Sequence, residues 1–281
     1  MIVIESIKRR YRWGNRIKNT GYFLLPIIGL AIEAAGKLNA AEHPTIAKYA
    51  LFAKENGIWL FGIYILLVFI GALLAWRGDD TSWELMQTYL DQMQKDVFPD
   101  HQDEIKDKHR VTLFKYSKWS FKRYTLNRKV LSGCWSERLW IWSGWLKPVL
   151  RSGKTSKQTN TVFSAPDNGM KAEGIAGKCW ASAATVPALQ LVKIVSSSSA
   201  RNKQKYANDT GMPLWLVQKY LDEKKPLSIS ILAYYITTGS GKPWGVLVID
   251  SQEHNSINML AAENAIRAIT EPLGLLLEQV K

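Results

Sequence analysis

Apolar positions are most concentrated between Gly57 and Trp76, where GIWLFGIYILLVFIGALLAW runs for twenty residues without a charge. A helix of that length crosses a hydrocarbon core of about 30 Å. A helix buried in a globular domain seldom stays apolar on every face over about five turns, and Arg77-Gly78-Asp79-Asp80 ends the run abruptly. Trp59 and Trp76 fall near its ends, where aromatic rings favour the headgroup region. The pattern predicts a membrane span.

A second apolar run, Gly21 to Leu38, follows Lys8, Arg9, Arg10, Arg12, Arg16 and Lys18. A basic segment before an apolar one also opens a signal peptide. Here Pro26 and Glu33 interrupt the run, and no small-x-small cleavage pattern leads into a cysteine-rich domain. The expectation is a first transmembrane helix from about Gly21 to Ala41. Gly29, Glu33 and Gly36 lie at i, i+4 and i+7, on one helical face suited to close helix approach or to water. Glu33 either faces that side within the membrane or snorkels to the outer headgroups. The loop Asn39 to Asn56 balances Lys48 and Lys54 against Glu42 and Glu55, so the basic N-terminus decides the topology. The result is a two-helix hairpin, multi-pass in a bacterial inner membrane, with both termini and the large soluble part cytoplasmic.

Beyond Asp80, TSWELMQTYLDQMQKDVF opens with Thr81-x-x-Glu84, which has capping-box spacing, and predicts a helix over 80–98. Met86, Leu90, Met93 and Val97 are spaced four, three, four: either a seam that pairs with a second copy, or a stripe packed on its own domain. DVFPDHQDEIKDKH gathers two histidines with carboxylates, but it lacks the spacing of paired helical metal ligands and reads as a solvated linker. From Arg110 the period shortens. HRVTLFKYSKWSF and RLWIWSGWLKPV read as strands, and LSISILAYYITT with KPWGVLVID reads as a hairpin turned at Gly239-Ser240-Gly241. Helical stretches are expected near Ala172 to Ala183, Pro213 to Lys224 and Ser256 to Gln279. The order predicts the α+β class: two transmembrane helices, then an antiparallel sheet flanked by helices. The divisions are 1–20 (basic N-terminus), 21–76 (hairpin), 80–98 (connecting helix) and 99–281 (soluble domain).

Charge changes this picture in one respect. The net charge is +13, and from Lys106 to Lys205 there are twenty Lys or Arg against four Asp or Glu. That segment attracts anions: lipid headgroups, nucleic acid or a phosphorylated small ligand. The two cysteines, Cys134 and Cys179, form no CxxC and suit a reducing cytoplasm.

Two motifs in the soluble part resemble a known family. Gly241-Lys242-Pro243-Trp244-Gly245-Val246-Leu247-Val248-Ile249-Asp250-Ser251 is similar to the last hairpin of GAF domains, and Glu173-Gly174-Ile175-Ala176-Gly177-Lys178-Cys179-Trp180 to their central Gly-x-x-Gly-x-x-Trp helix start. The resemblance spans about Thr81 to Lys281. It implies five or six antiparallel strands flanked by helices, a small-molecule pocket between sheet and roof, and dimerisation through terminal helices. The Asn-Lys-x-x-x-Phe-x-x-x-Asp-Glu signature of cyclic-nucleotide-binding members is not evident. If the elements run as in the family, Trp142, Phe163, Arg201, Tyr206, Trp215 and Tyr234 surround a flat, anionic ligand by stacking and by arginine–phosphate contact. Ser196 to Ser199 with Arg201, Lys203 and Lys205 form a polar basic loop, either solvated or able to close over phosphates.

No catalytic set emerges. None of His43, His101, His109 and His254 has an evident nucleophile and acid partner, and Gly239-x-Gly241-Lys242 lacks phosphate-loop spacing. No enzyme, metal or cofactor is expected. Three readings remain. The first is a receptor-effector whose GAF-like domain binds a small anionic ligand such as a cyclic nucleotide and changes homo-oligomeric assembly of the membrane helices. The second is a tethered sensor that signals through a separate partner protein. The third, a nucleic-acid-binding module, ranks last because no reading motif accompanies the basic residues. The architecture is similar to small two-span effectors of bacterial anti-phage signalling, which implies Gly29, Glu33 and Gly36 as the output element in the membrane lipid.

Overall fold

A computed structural model describes residues 2–37, 48, 51–52, 55–75, 80–99, 108–119, 144–152, 161–166 and 172–280. Trp76, His101, Cys134, Trp142, the 38–41 end of the first expected span and the 138–143 part of the second expected strand lie outside the described residues. The chain divides into two units: Met1–Val3 with Ser82–Gln279, and Ile4–Thr81 with Val280–Lys281.

The helical unit holds α1 (Ile2–Lys37) and α2 (Gly57–Ala75). α1 is a single helix of 36 residues that starts well before Gly21. Its first twenty residues are rich in Ile, Lys and Arg and hold no proline, so the basic segment continues the apolar one as helix. Pro26 is accommodated in its interior. α2 contains the described 18-residue window, Gly57–Leu74, that is long and apolar enough to cross a membrane, and only 6% of that window is buried. Two helices close on each other through glycine. A Cβ on Gly71 would sit 2.8 Å from the Lys18 amide nitrogen and 3.0 Å from the Gly14 carbonyl, and one on Gly21 would sit 2.7 Å from Val68. Those contacts run in opposite directions along the two helices, so the pair is antiparallel.

The α+β unit begins with α3 (Asp80–Val97) and continues β1 (His109–Ser117), β2 (Trp145–Arg151), β3 (Phe163–Ser164), α4 (Gly174–Ser182), β4 (Val186–Ala188), α5 (Ala200–Thr210), α6 (Leu214–Asp222), β5 (Ser230–Thr237), β6 (Pro243–Ser251) and α7 (Met259–Gln279). Its six strands form one sheet, ordered β3-β2-β1-β6-β5-β4, in which every pair is antiparallel. This meets the expectation of five or six antiparallel strands flanked by helices, and β5–β6 is the expected hairpin. Pro148 opposes Phe114 at the one register slip between β1 and β2, where a residue without an N–H interrupts the ladder least. Pro187 lies exposed on the edge strand β4 for the same reason.

Of the two readings of the α3 stripe, the one packed on its own domain is seen: Met86, Leu90, Met93 and Val97 are buried. α3 is further fastened by Gln94, whose amide donates to the His109 carbonyl, and by Gln87, which donates to the Arg151 carbonyl at 2.8 Å. The ends of the expected solvated linker are also core: Phe98 and His109 are buried with ring centroids 4.5 Å apart. Finally, Arg201, Lys203 and Lys205 stand on helix α5, not on a loop. Ser199 caps that helix by accepting a hydrogen bond from the Asn202 N–H at 3.3 Å.

Candidate functional site

Side chains alternate across a strand, so the register sorts the sheet into two faces. Val111 and Leu113 of β1, Leu247 and Ile249 of β6, and Leu232, Tyr234 and Ile236 of β5 share one face. That side belongs to α3 and α7: Tyr234 feels the charge of Glu263 on α7, and the hairpin tip donates from the Ser240 N–H to Glu278 at 2.5 Å. The opposite face carries Arg110, Thr112, Phe114 and Tyr116 of β1, Asp250, Val248 and Val246 of β6, and Ile231, Ala233 and Tyr235 of β5. α4, α5 and α6 cover this second face. It changes character along its length, from ionic through apolar to aromatic.

At the ionic end, Arg110 and Asp250 are cross-strand partners. The Arg110 Nε donates to Asp250 at 2.7 Å, and a second guanidinium nitrogen makes an ion pair with the same oxygen. Ser228 donates to that carboxylate at 2.6 Å and accepts from Arg110 at 2.9 Å, while the buried Tyr206 hydroxyl reaches down from α5 to the Ser228 carbonyl at 2.8 Å. Burial alone would lower the Arg110 pKa; the neighbouring Asp250 outweighs it and the guanidinium ends up raised. Burial likewise drives the Tyr206 phenol well above its ordinary value. Every member is hydrogen-bonded, which is what keeps buried charge tolerable.

At the aromatic end, Tyr116 of β1 stacks on Trp180 of α4 with centroids 4.2 Å apart and planes at 12°, and Tyr235 of β5 lies 5.4 Å from Trp180. Cys179, buried between the two ends, has its thiol pushed up to about 12 by burial, and Tyr235 is raised by burial and then by Cys179. α4 approaches this face through its glycines. Gly174 has φ of 70° and a Cβ there would meet the Phe163 ring at 2.9 Å, while one on Gly177 would meet the Ser164 carbonyl at 2.8 Å. The Glu173 side chain accepts from the Ser164 N–H at 3.0 Å and ties the helix start to β3.

The expected ligand residues are placed as follows. Phe163 packs against both apolar clusters of this face, and Tyr206 lies in the second of them. Arg201 and Trp215 point away from the sheet on α5 and α6. Tyr234 stands on the α7 side, where burial, then Glu263, raises it to about 12. Trp142 lies outside the described residues. Phe163 and Tyr206 are therefore brought together, and Arg201, Trp215 and Tyr234 are not. Arg110, Ser228 and Asp250 were missed; the available signal was an ionic residue near the start of one strand and another near the end of its antiparallel partner. Among the described residues no three His, Cys, Asp or Glu gather to hold a metal.

In the helical unit, Gly29 has open space where a Cβ would stand, and close approach falls instead to Gly14, Gly21 and Gly71. Gly21 lies level with about residue 66 of α2, between its neighbours Tyr64 and Val68. Glu33 is exposed on α1, twelve residues beyond Gly21. Gly36 lies beyond it on α1.

No protein-family model and no curated protein matches the chain. Among solved structures, a Staphylococcus aureus NreA protein mutated in its nitrate-binding site is similar at 12% identity, covering 63% of this chain and 91% of that one, with a TM-score of 0.35. A type II free methionine-R-sulfoxide reductase from Thermoplasma acidophilum is similar at 14% identity, over 70% and 96% of the two chains, with a TM-score of 0.35. The GAF domain region of a Geobacter sulfurreducens protein is similar at 12% identity, over 70% and 98%, with a TM-score of 0.34.

Proposed function

We propose that the chain is a membrane-anchored receptor-effector whose α+β unit binds a small molecule on the α4 side of its sheet. The observation that carries this is the contrast between the two faces. The α3 and α7 side is mainly apolar, with His109 and Tyr234 among its buried polar side chains, whereas the α4 side combines a fully hydrogen-bonded Arg–Asp pair, the Tyr206 hydroxyl tied into it and a stacked aromatic group within one layer. A layer that offers aromatic faces at one end and charge-assisted hydrogen bonding at the other suits a ligand with a flat ring and an anionic group. A cyclic nucleotide has both. Arg110 keeps Asp250 as a partner and offers a further guanidinium N–H to the anion in this reading, and Tyr116, Trp180 and Tyr235 take the ring.

Anchoring is supplied by α2, with α1 as its antiparallel partner, since Phe23, Ile27 and Leu30 of α1 are as exposed as the apolar residues of α2. The output is a change in assembly of these helices, read as a membrane lesion of the kind used in anti-phage defence. Ligand must bind the two assemblies with different affinity for this to work. Thermal-shift screening of the full chain in detergent against cyclic mono-, di- and trinucleotides tests it. At least one class is expected to raise the melting temperature, and less so in Trp180→Ala. If none does, and expression leaves membrane potential intact, the tethered sensor that acts through a separate partner is the better account.

A further inference from the structure

The outer side of α5 and α6 carries chemistry that the sheet-side layer leaves unused. α5 buries Tyr206, Ala207 and Thr210 and turns Arg201 and Lys205 outward. α6 buries Leu216, Val217 and Leu221, which leaves Trp215 and Lys219 on its outer side. The segment before α5 buries Leu191 and Ile194 and exposes Lys193 and Val195. Val195, Leu214 and Trp215 are 50%, 43% and 40% exposed. From Lys193 to Lys225 there are seven Lys or Arg, and only Asp209, Asp222 and Glu223 oppose them. Glu223 is already paired with Lys219 and Lys225, and Asp222 accepts from Gln218. Lys193, Arg201, Lys205 and Lys224 have no ion-pair partner among the described residues.

We infer that this outer side of α5 and α6 docks on an anionic lipid surface. An exposed tryptophan and two exposed aliphatic side chains interspersed with basic residues match a headgroup interface, where the ring and the aliphatic groups enter the acyl boundary and the cations meet phosphates. A protein partner would call for a continuous apolar core ringed by polar groups, and a nucleic acid for aromatic platforms in a basic groove. Sequence supplies a second argument. Only residues 76–79 separate α2 from α3, so lipid is present at high effective concentration wherever α2 is inserted. The inference rests on α2 being a membrane span and is independent of any ligand on the α4 side.

The test uses the full chain in lipid nanodiscs and compares amide hydrogen exchange in phosphatidylglycerol-containing and purely phosphatidylcholine bilayers. Exchange at 193–222 is expected to slow by about fivefold in the anionic bilayer. High salt and the double variant Arg201→Glu/Lys205→Glu should both abolish the slowing, while amides of β1, β5 and β6 stay protected as a check on folding. Arg201→Gln/Lys205→Gln provides a gentler variant should the reversal misfold. A chain that resists carbonate extraction from vesicles yet exchanges identically in both bilayers overturns the docking and leaves the span standing. Slowing that appears only when an oligonucleotide is added overturns it as well.

Discussion

Asp250 illustrates how much rests on a few buried side chains. It takes hydrogen bonds from Arg110 and Ser228, and among the described residues it is the acidic group that balances the Arg110 charge. Asp250→Asn leaves a buried guanidinium without its counter-charge, and removal of one partner from such a pair costs about 3–5 kcal/mol. Denaturant unfolding should show a loss of that order, whereas Tyr206→Phe, which deletes one neutral hydrogen bond to the Ser228 carbonyl, should cost only about 1 kcal/mol. Cys179 makes a prediction in pH. Its folded pKa is raised from 9.0 to about 12, so above 9 the unfolded chain loses a proton that the folded chain keeps. The unfolded state then binds fewer protons, and stability falls as pH rises through that window. Tyr234, raised from 10.0 to about 12, acts in the same direction. Cys179→Ala should make the alkaline decline shallower; an unchanged slope would assign the decline to the tyrosines alone.

Helices α1, α2 and α3 each depend on a face that the rest of the chain defines. In α3, Leu90 is fully buried within its own unit. Leu90→Ala should therefore destabilise the α+β unit by about 2–5 kcal/mol in urea titration, with no change of mass in light scattering. A smaller particle with unchanged stability would return the seam to a role in pairing copies. In the helical unit, Gly71 meets backbone atoms of Gly14 and Lys18 that cannot swing aside. Gly71→Leu should force α1 and α2 apart. With Cys134 and Cys179 replaced by serine, cysteines at Gly21 and Val68 should cross-link readily beside Gly71 and poorly beside Leu. Equal cross-linking would mean that the contact is not a close one.

At the scale of the whole molecule, topology is the property that most constrains function. The basic residues of α1 precede its apolar part, and on the proposed anchoring the positive-inside rule would place the α+β unit in the cytoplasm, where a nucleotide messenger would reach it. A cysteine at Thr45 should react with an impermeant maleimide in intact cells and one at Ser256 should not, again with the native cysteines removed. The reverse labelling would put the α4-side face on the far side of the membrane and end the second-messenger reading. The two units also differ in what stabilises them. The sheet is held by a core of its own, whereas α2 exposes Ile58 at 88% and Trp59 at 75%, side chains that lipid covers on the proposed anchoring.

The sequence alone determined the elements whose signal is local. The uninterrupted apolar run of α2, the alternation of β1, and the Gly239-Ser240-Gly241 turn between β5 and β6 each state their structure within a short window. α5 reads as a loop in sequence because its inward residues are few and its polar ones many, with the Ser199 cap as its local signal. The partnership of Arg110 with Asp250 spans 140 residues, so no window contains it. The choice between Tyr234 and Tyr235 was also beyond reach. Adjacent strand residues point to opposite faces, and which face meets α4 depends on how the helices pack on the finished sheet. Tertiary structure likewise decided that the α3 stripe is core: a heptad seam satisfies a sheet or a second helix equally well, and only the presence of β1 and β2 beneath it settles which surface removes those side chains from water.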